Sequence, residues 1–440
     1  MGNLFYNTPE FFDPWLENFN KEKYSKLFAG LDSDGLQGVA PRDLDLKPTF
    51  IPKKIRFRSK NNPMGLAVLK EKISKGILEF YFGNVKANNR WFLVRKPAYS
   101  ADDVRGWRLV VDITCNKHVR PDSFPLPSPP NIAQWLADFQ YTWKADATEA
   151  YSQKKVSQDA KAYLVLATTL GNLTHTGQPQ GLVGSQPSLL RDFAKIYHSV
   201  PDLRIYVDNF FGGAQNYATL HTNFFHFLDA SLSGNVKLTI GETEYAMTSI
   251  EAVGYDVSYL SYSPSRRLTK AMYNIPTPKD AKSLKSFTQS LNILRSHIPN
   301  YNSILAPLAP LLRKGVPFTW GEQQQLAFTT LRDHLLSPEI LKPFCAKRKT
   351  RLKSDYNGFE NISNREPALG VSLWQLHGDE WFPCGYGSRF LRKSEKALLK
   401  RESVYSSSIG ESLAFDFGLN HFYSELSQIP TFEVLCDARI

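Results

Sequence analysis

The sequence predicts an α+β protein of several domains, on three observations. At 440 residues, and about 150 residues per domain as a prior, the chain holds two to four domains. Up to about Ser265 it is written in short apolar runs broken by turn residues, the pattern of strands with helices between them. After Tyr273 the apolar residues fall at helical spacing, and from Arg351 strand patterns return. Hydrophobic residues make up 42% and aromatic residues 13%, enough for packed cores, which excludes a wholly disordered chain.

Taken in order, residues 1–46 carry Pro9, Pro14, Asp32, Asp34, Gly35 and Pro41 as breakers and are expected to form a partly ordered leader or linker. Arg108-Leu109-Val110-Val111-Asp112 and Leu203-Arg204-Ile205-Tyr206-Val207 are strand candidates. Asp208-Asn209 follows the second of these and precedes another apolar run, as a hairpin turn would. Thr277-Pro278 reads as a helix cap with proline at the first helical position. Leu284, Phe287, Leu291, Leu294 and Ile298 then share one helical face until Pro299 ends it. Thr319-Trp320-Gly321-Glu322 has capping-box spacing and opens a second helix bearing Phe328, Leu331 and Leu335. Beyond Arg351 come strands, a helix around Glu411 to Phe422, and a strand from Phe432 to Cys436. No internal repeat or low-complexity tract is present.

Several classes drop out. No apolar run reaches the roughly 18–20 residues that span a bilayer, and the N-terminus lacks a charged-then-apolar signal peptide. Tyr6 stands where a myristoylation signal needs Ser or Thr. Cys115, Cys345, Cys384 and Cys436 are too scattered for a disulfide framework or a zinc site. A reducing, intracellular setting is expected.

The net charge of +11 is local. Between Lys47 and Lys96 lie 13 Lys and Arg and only two acids, Glu71 and Glu79, leaving 40 bases and 40 acids for the other 390 residues. The window interleaves bases with rings: Lys53-Lys54-Ile55-Arg56-Phe57-Arg58-Ser59-Lys60, then Phe80-Tyr81-Phe82, then Arg90-Trp91-Phe92. Phosphates take such charge and bases stack on such rings. Composition alone equally allows a solvated basic face, or a nuclear-localisation patch at Lys53 to Lys60.

Two segments place an acid where a strand ends or turns, Lys144-Ala145-Asp146-Ala147-Thr148-Glu149-Ala150-Tyr151 and Ile205-Tyr206-Val207-Asp208-Asn209-Phe210-Phe211. Acids met from adjacent strands can hold two Mg²⁺ ions, which activate a 3′-hydroxyl and stabilise leaving pyrophosphate. Singly, each is ordinary turn chemistry.

Their order and company are more specific. Arg95-Lys96, then Gly106-Trp107-Arg108-Leu109-Val110-Val111-Asp112 through Asn116-Lys117, is similar to the fingers strand pair of a reverse transcriptase, and Ser123-Phe124-Pro125-Leu126-Pro127 follows. Then come Asp146 with Tyr151, Gln178-Pro179-Gln180-Gly181, the box Tyr206-Val207-Asp208-Asn209, and Val253-Gly254-Tyr255. The stretch Pro276-Thr277-Pro278-Lys279 through Ile298-Pro299-Asn300-Tyr301 to Phe318-Thr319-Trp320 is similar to a gypsy-type thumb. From about Lys47 to Ile440 the chain thus resembles the Pol polyprotein of LTR retrotransposons, gypsy-type (metavirus) elements most of all.

The resemblance implies a right-hand polymerase of fingers, palm and helical thumb, followed by an RNase H-like α/β domain. It implies boundaries of 1–46 for the leader, 47–265 for fingers and palm, 266–345 for thumb and tether, and 346–440 for the RNase H-like domain. Asp146 and Asp208 would ligate two Mg²⁺, with Mn²⁺ as substitute. Lys96 and Arg108 would clamp the triphosphate, Gln180 would line the nucleotide pocket, and Tyr151 would exclude a ribose 2′-hydroxyl. Gly254 and Tyr255 would form the primer grip. On composition alone Arg108 is a strand-end charge and Tyr151 a core ring. Implied partners are an RNA or DNA primer–template, an RNA–DNA hybrid and deoxynucleoside triphosphates, with no membrane. The implied location is a cytoplasmic retroelement particle with access to the nucleus.

Asn209 departs from the pattern, standing where the family has a second aspartate. It keeps one carbonyl oxygen but loses a negative charge. Either Asn serves as a neutral ligand, or the copy has decayed. Thr114 in place of an arginine and Gln178 in place of an apolar residue point toward decay.

Arg351-Leu352-Lys353-Ser354-Asp355-Tyr356, then Leu369-Gly370-Val371-Ser372-Leu373-Trp374-Gln375 and Tyr386-Gly387-Ser388-Arg389-Phe390-Leu391, resembles the first strands of ribonuclease H. An insertion is expected between Asn357 and Ala368. Asp355, Glu411 and Asp437 would bind two Mg²⁺ and cleave the RNA strand of a hybrid. The family's fourth acid, last strand and last helix lie beyond Ile440, so the domain is expected to lack its C-terminal end and to show weak or absent nuclease activity. The rival reading is a catalytically decayed or domesticated protein that binds nucleic acid without polymerising. An RNA-templated RNA polymerase is the third, and Tyr151 argues against it.

Overall fold

The computed structural model describes residues 21–52, 62–96, 99–100, 102–336, 338, 340–358, 366–401 and 406–436. It divides into two compact units: residues 1–127 with 141–247, and residues 128–140 with 248–440. The chain passes from the first unit to the second after Met247, and residues 128–140 belong with the later unit. The basic run Lys53 to Lys60 and Asp437 lie outside the described residues.

The first unit carries two sheets. A five-stranded sheet has the order β1-β6-β5-β2-β3, from β1 (Leu78–Phe80), β2 (Asn88–Arg95), β3 (Trp107–Asp112), β5 (Val165–Thr168) and β6 (Gly171–His175). A four-stranded sheet has the order β7-β8-β4-β9, from β4 (Tyr141–Asp146), β7 (Leu203–Tyr206), β8 (Asn209–Ala214) and β9 (Glu244–Met247). Helix α1 (Pro63–Ser74) belongs with the first sheet; α2 (Ser185–Ile196) and α3 (Tyr217–Ser233) cover the second. Proline at the start of α1 and the Asn62 side chain accepting from the Gly65 N–H explain why that helix begins there.

The second sheet packs through rings. Trp143 is fully buried and lies 4.6 Å from Phe227 and 5.2 Å from Phe224, both on α3. Its cross-strand partner is Gly212, where a Cβ would stand inside the indole. Strand β8 therefore uses a glycine to seat a tryptophan. The described part of the expected leader also belongs to this core. Tyr24, Leu27 and Leu36 are buried in it, the Tyr24 hydroxyl donates to Asp229 at 2.7 Å, and the Leu238 N–H donates to the Leu27 carbonyl at 2.7 Å.

The turn between β7 and β8 is one residue earlier than Asp208-Asn209. Tyr206 pairs with Asn209, so Val207 and Asp208 form the two-residue loop. Val207 has φ of 59°, a left-handed backbone that costs a β-branched residue roughly 1–3 kcal/mol.

In the second unit, β10 (Ser249–Ala252), β11 (Tyr255–Ser258) and β12 (Ser261–Pro264) form a meander. Val253 and Gly254 make the first turn, both at positive φ, as the mirror-image hairpin turn requires. Helix α4 (Ala281–Ser290) continues as 3₁₀ turns over Leu291–His297, and α5 (Glu322–Asp333) follows. Leu284, Phe287, Leu291, Leu294, Ile298, Phe328, Leu331 and Leu335 meet in one core. Both caps sit later than expected. Asp280, not Thr277, caps α4, accepting from the Ser283 N–H at 2.7 Å. At α5 the Gln324 side chain accepts from the Gly321 N–H at 3.1 Å, taking the place of a Thr319–Glu322 box.

The last sheet has the order β15-β14-β13-β16, from β13 (Thr350–Asn357), β14 (Ala368–His377), β15 (Glu380–Phe390) and β16 (Glu433–Leu435). β13 runs antiparallel to β14 and parallel to β16. Helix α6 (Ser406–His421) packs on it through Ala414, Phe415 and Phe417.

Candidate active site

Asp146 ends β4 and faces Asn209 across the ladder, while the Ala147 N–H donates to the Asp208 carbonyl at 2.9 Å. The two acids thus come from neighbouring strands at the same end of one sheet. They line one open cleft of about 480 Å³ together with Lys96, Arg108, Tyr151 and Gln180. All six residues that sequence placed at a polymerase centre, apart from Asn209, line this space.

The electrostatics set Asp146 apart. Burial, then the neighbouring charge of Asp208, push its carboxyl up to about 6, against a hydrogen bond from the Thr239 hydroxyl that favours the ionised form. Asp208 Oδ1 accepts from the Asn209 side-chain amide at 2.9 Å. A carboxylate offers only acceptors, so the amide nitrogen is the atom that faces it. Among the described residues no group of three or more His, Cys, Asp or Glu is placed to hold a metal ion. Asp146 and Asp208 are hard oxygen donors that suit Mg²⁺ or Mn²⁺ in kind, while the third carboxylate lining the cleft, Glu149, is paired with Lys72.

Lys96 closes β2 and reaches over the Tyr99 ring at 5.7 Å; Arg108 is exposed on β3 opposite Val94. Tyr151 is half-buried, its hydroxyl raised by burial and by Asp208, and its ring packs on the core that carries β4. Gln180 is exposed at the rim. The neighbouring Gln178 is fully buried, its amide donating to Ser188 at 3.3 Å while its carbonyl oxygen has no partner, a costly residue for that position.

Sequence reasoning missed other lining groups. Lys72 on α1 and Lys75 just after it line the cleft, and Lys72 pairs with Glu149 at 2.7 Å. His175 is buried beside them and pushed down to about 4, by burial first and then by the Lys72 charge. Lys72 and Lys75 were at least inside the basic window; Thr239 and His175 carry no local signal.

Gly254 sits at its hairpin turn, where a Cβ would press on Ile293 and Leu268. Tyr255 is buried, with its hydroxyl donating to the Ile293 carbonyl at 2.7 Å. Tyr255 therefore supports this hairpin from beneath.

In the last sheet Asp355 lies on β13 and Glu411 on α6. Glu411 accepts from the Tyr356 N–H at 3.2 Å, which brings the two acids to adjoining positions. Asp355 Oδ2 accepts from the Asn300 amide at 3.0 Å.

This is the fold of a reverse transcriptase, a polymerase palm and thumb followed by an RNase H-like sheet. The solved structure of a foamy viral protease–reverse transcriptase in complex with double-stranded DNA matches with a TM-score of 0.72 at 16% identity, over 96% of this chain and 78% of that one. A foamy viral protease–reverse transcriptase in complex with an RNA/DNA hybrid matches with a TM-score of 0.69, again at 16% identity, over 96% of this chain and 60% of that one. In sequence, the Transposon Tf2-7 polyprotein of Schizosaccharomyces pombe is 26% identical over 410 residues, 90% of this chain; the Tf2-3 polyprotein is 26% identical over 414 residues. The chain spans 29% of the length of each of these polyproteins. No model of a protein family matches the chain.

Proposed function

We propose that the chain is the RNA-directed DNA polymerase of a retroelement of the gypsy type, extending a primer 3′-hydroxyl with deoxynucleoside triphosphates on an RNA or DNA template. The observation that carries this reading is the cleft in which Asp146 and Asp208 meet Lys96, Arg108, Tyr151 and Gln180. Asp146 and Asp208 would hold Mg²⁺, which when bound supplies activation of the 3′-hydroxyl and charge neutralisation at the leaving pyrophosphate. Lys96 and Arg108 hold the triphosphate by charge-assisted hydrogen bonds. The Tyr151 ring, fixed by the core behind it, fills the space a 2′-hydroxyl would need. Thr239 orients the Asp146 carboxylate through its hydroxyl.

Primer extension on an RNA template, with Mg²⁺ and Mn²⁺ in parallel, tests the reading. Extension with deoxynucleotides that vanishes in Asp146→Asn and Asp208→Asn supports it; extension surviving both substitutions defeats it.

A second reading is favoured by Asn209, whose amide occupies an Asp208 oxygen. On it the chain binds primer–template but polymerises poorly. For the last sheet we propose an RNase H-like centre acting on an RNA–DNA hybrid. Asp355 and Glu411 supply two of its hard oxygen ligands and Asp437 the third.

A further inference from the structure

A turn within the helical part of the second unit, between the 3₁₀ turns Leu291–His297 and α5, reaches into the acidic site of the last sheet. Asn300 follows Pro299 and has φ of 48°, a backbone state that asparagine tolerates better than most residues. Its Nδ2 donates to Asp355 Oδ2 at 3.0 Å. The residues around it are pinned to β15. The Asn302 N–H donates to the Ser388 hydroxyl at 3.1 Å, and Arg295 donates to the Ser388 carbonyl at 2.7 Å and to Asn302 Oδ1 at 3.2 Å. Tyr301 is buried beneath the Arg295 guanidinium, 5.4 Å away.

The strand opposite makes room for this side chain. Gly370 pairs directly with Asp355 across the β13–β14 ladder. A Cβ at Gly370 would collide with Asn300 Oδ1 and press on Asn300 Cγ at 3.1 Å, while the Asp355 carbonyl oxygen stands at an ordinary 3.8 Å. Asn300 is therefore the residue that a side chain at 370 would strike.

We infer that Asn300 is a positioning residue of the Asp355–Glu411 site: this turn of the helical part supplies the hydrogen bond that fixes the Asp355 carboxylate for a divalent cation. The inference rests on the RNase H-like reading of that sheet. Carboxylates that ligate metals are oriented by hydrogen bonds from outside the ligand set, and losing one such bond typically weakens metal binding 10- to 100-fold. Here the donor comes from outside the β13 strand and α6 helix that hold the ligands, so the site is complete only with this turn of the helical part.

The test uses the full chain with the palm silenced by Asp146→Asn and Asp208→Asn, titrated with Mn²⁺ and followed by electron paramagnetic resonance. In this background Asp355→Asn should abolish a Mn²⁺ site. Asn300→Gly, which keeps the left-handed backbone accessible and removes only the amide, should weaken that site 10- to 100-fold with the melting temperature held. Gly370→Ala should weaken it comparably by displacing Asn300, yet add nothing in the Asn300→Gly background, where its Cβ has space. Unchanged or tighter Mn²⁺ binding in Asn300→Gly, or independent losses from the two substitutions, overturns the inference. If Asp355→Asn changes no Mn²⁺ site, the acidic-site reading itself fails and the inference goes with it.

Discussion

At position 209 a carboxamide nitrogen lies 2.9 Å from the Asp208 carboxylate, where an aspartate would bring a further negative charge. Asn209 can offer a cation one neutral carbonyl oxygen in place of a charged carboxylate. Asn209→Asp should therefore tighten Mg²⁺ binding and raise Mg²⁺-dependent extension by roughly tenfold or more, the ~1.4 kcal/mol scale of one charged contact. An unchanged rate in Asn209→Asp beside a fully active parent would discard the idea of decay. Asp146 allows a test without catalysis. Its carboxyl sits at about 6 against an ordinary 3.8, so between those values the folded chain keeps a proton that the unfolded chain has shed. Stability in the absence of metal then falls as pH rises through that window. In EDTA, Asp146→Asn should melt above the parent at pH 7, and the two should converge near pH 4. Melting curves that keep a constant gap from pH 4 to 7 would place the cause elsewhere.

The β7–β8 hairpin shows at the level of elements what holds the acids in place. One end is strained, with Val207 at φ of 59°; the other is tightly seated, with Gly212 under the Trp143 ring. Val207→Gly should relieve strain and stabilise the chain by about 1 kcal/mol after the entropy cost of an added glycine. Gly212→Ala should destabilise it by about 1–3 kcal/mol, because a methyl must displace a buried indole; denaturant midpoints at constant m-value check both. Periodicity found the helical core correctly, since Leu291 and Leu294 face inward whether their turns are α or 3₁₀. Caps were harder. Thr277 and Asp280, or Thr319 and Gly321, are alternative starts within one turn, and the winner is decided by which side chain reaches a partner. That Asp146, Asp208 and Gln180 share one cleft was legible from the order of their motifs. The rest of the cleft lining was illegible where packing from afar decides, as with Thr239 and His175.

For the whole molecule the question is whether nucleic-acid affinity follows net charge or its location. The entire excess of +11 comes from the stretch Lys47 to Lys96, and that stretch also sends Lys72, Lys75 and Lys96 to the cleft. Phosphates that these bases neutralise release counterions, so binding should weaken linearly in log salt, by roughly 0.9 in slope per neutralised phosphate on a duplex. Two variants of equal net charge separate the possibilities. One neutralises the exposed bases Lys47, Lys70, Arg90 and Arg95 of the stretch; the other neutralises the exposed bases Lys195, Arg204, Lys393 and Lys400 outside it. Net charge acts on both alike through the long-range field, which salt at about 0.15 M screens within about 8 Å. Direct pairing with phosphate acts only on the first. The first variant should flatten the salt dependence of primer–template binding by roughly 0.9 for each phosphate that its removed bases had neutralised. The second should leave the slope unchanged, measured by fluorescence anisotropy from about 50 to about 200 mM salt. Equal flattening in both would mean that the charge works as a diffuse field, and the stretch would lose its standing as the strand-binding surface.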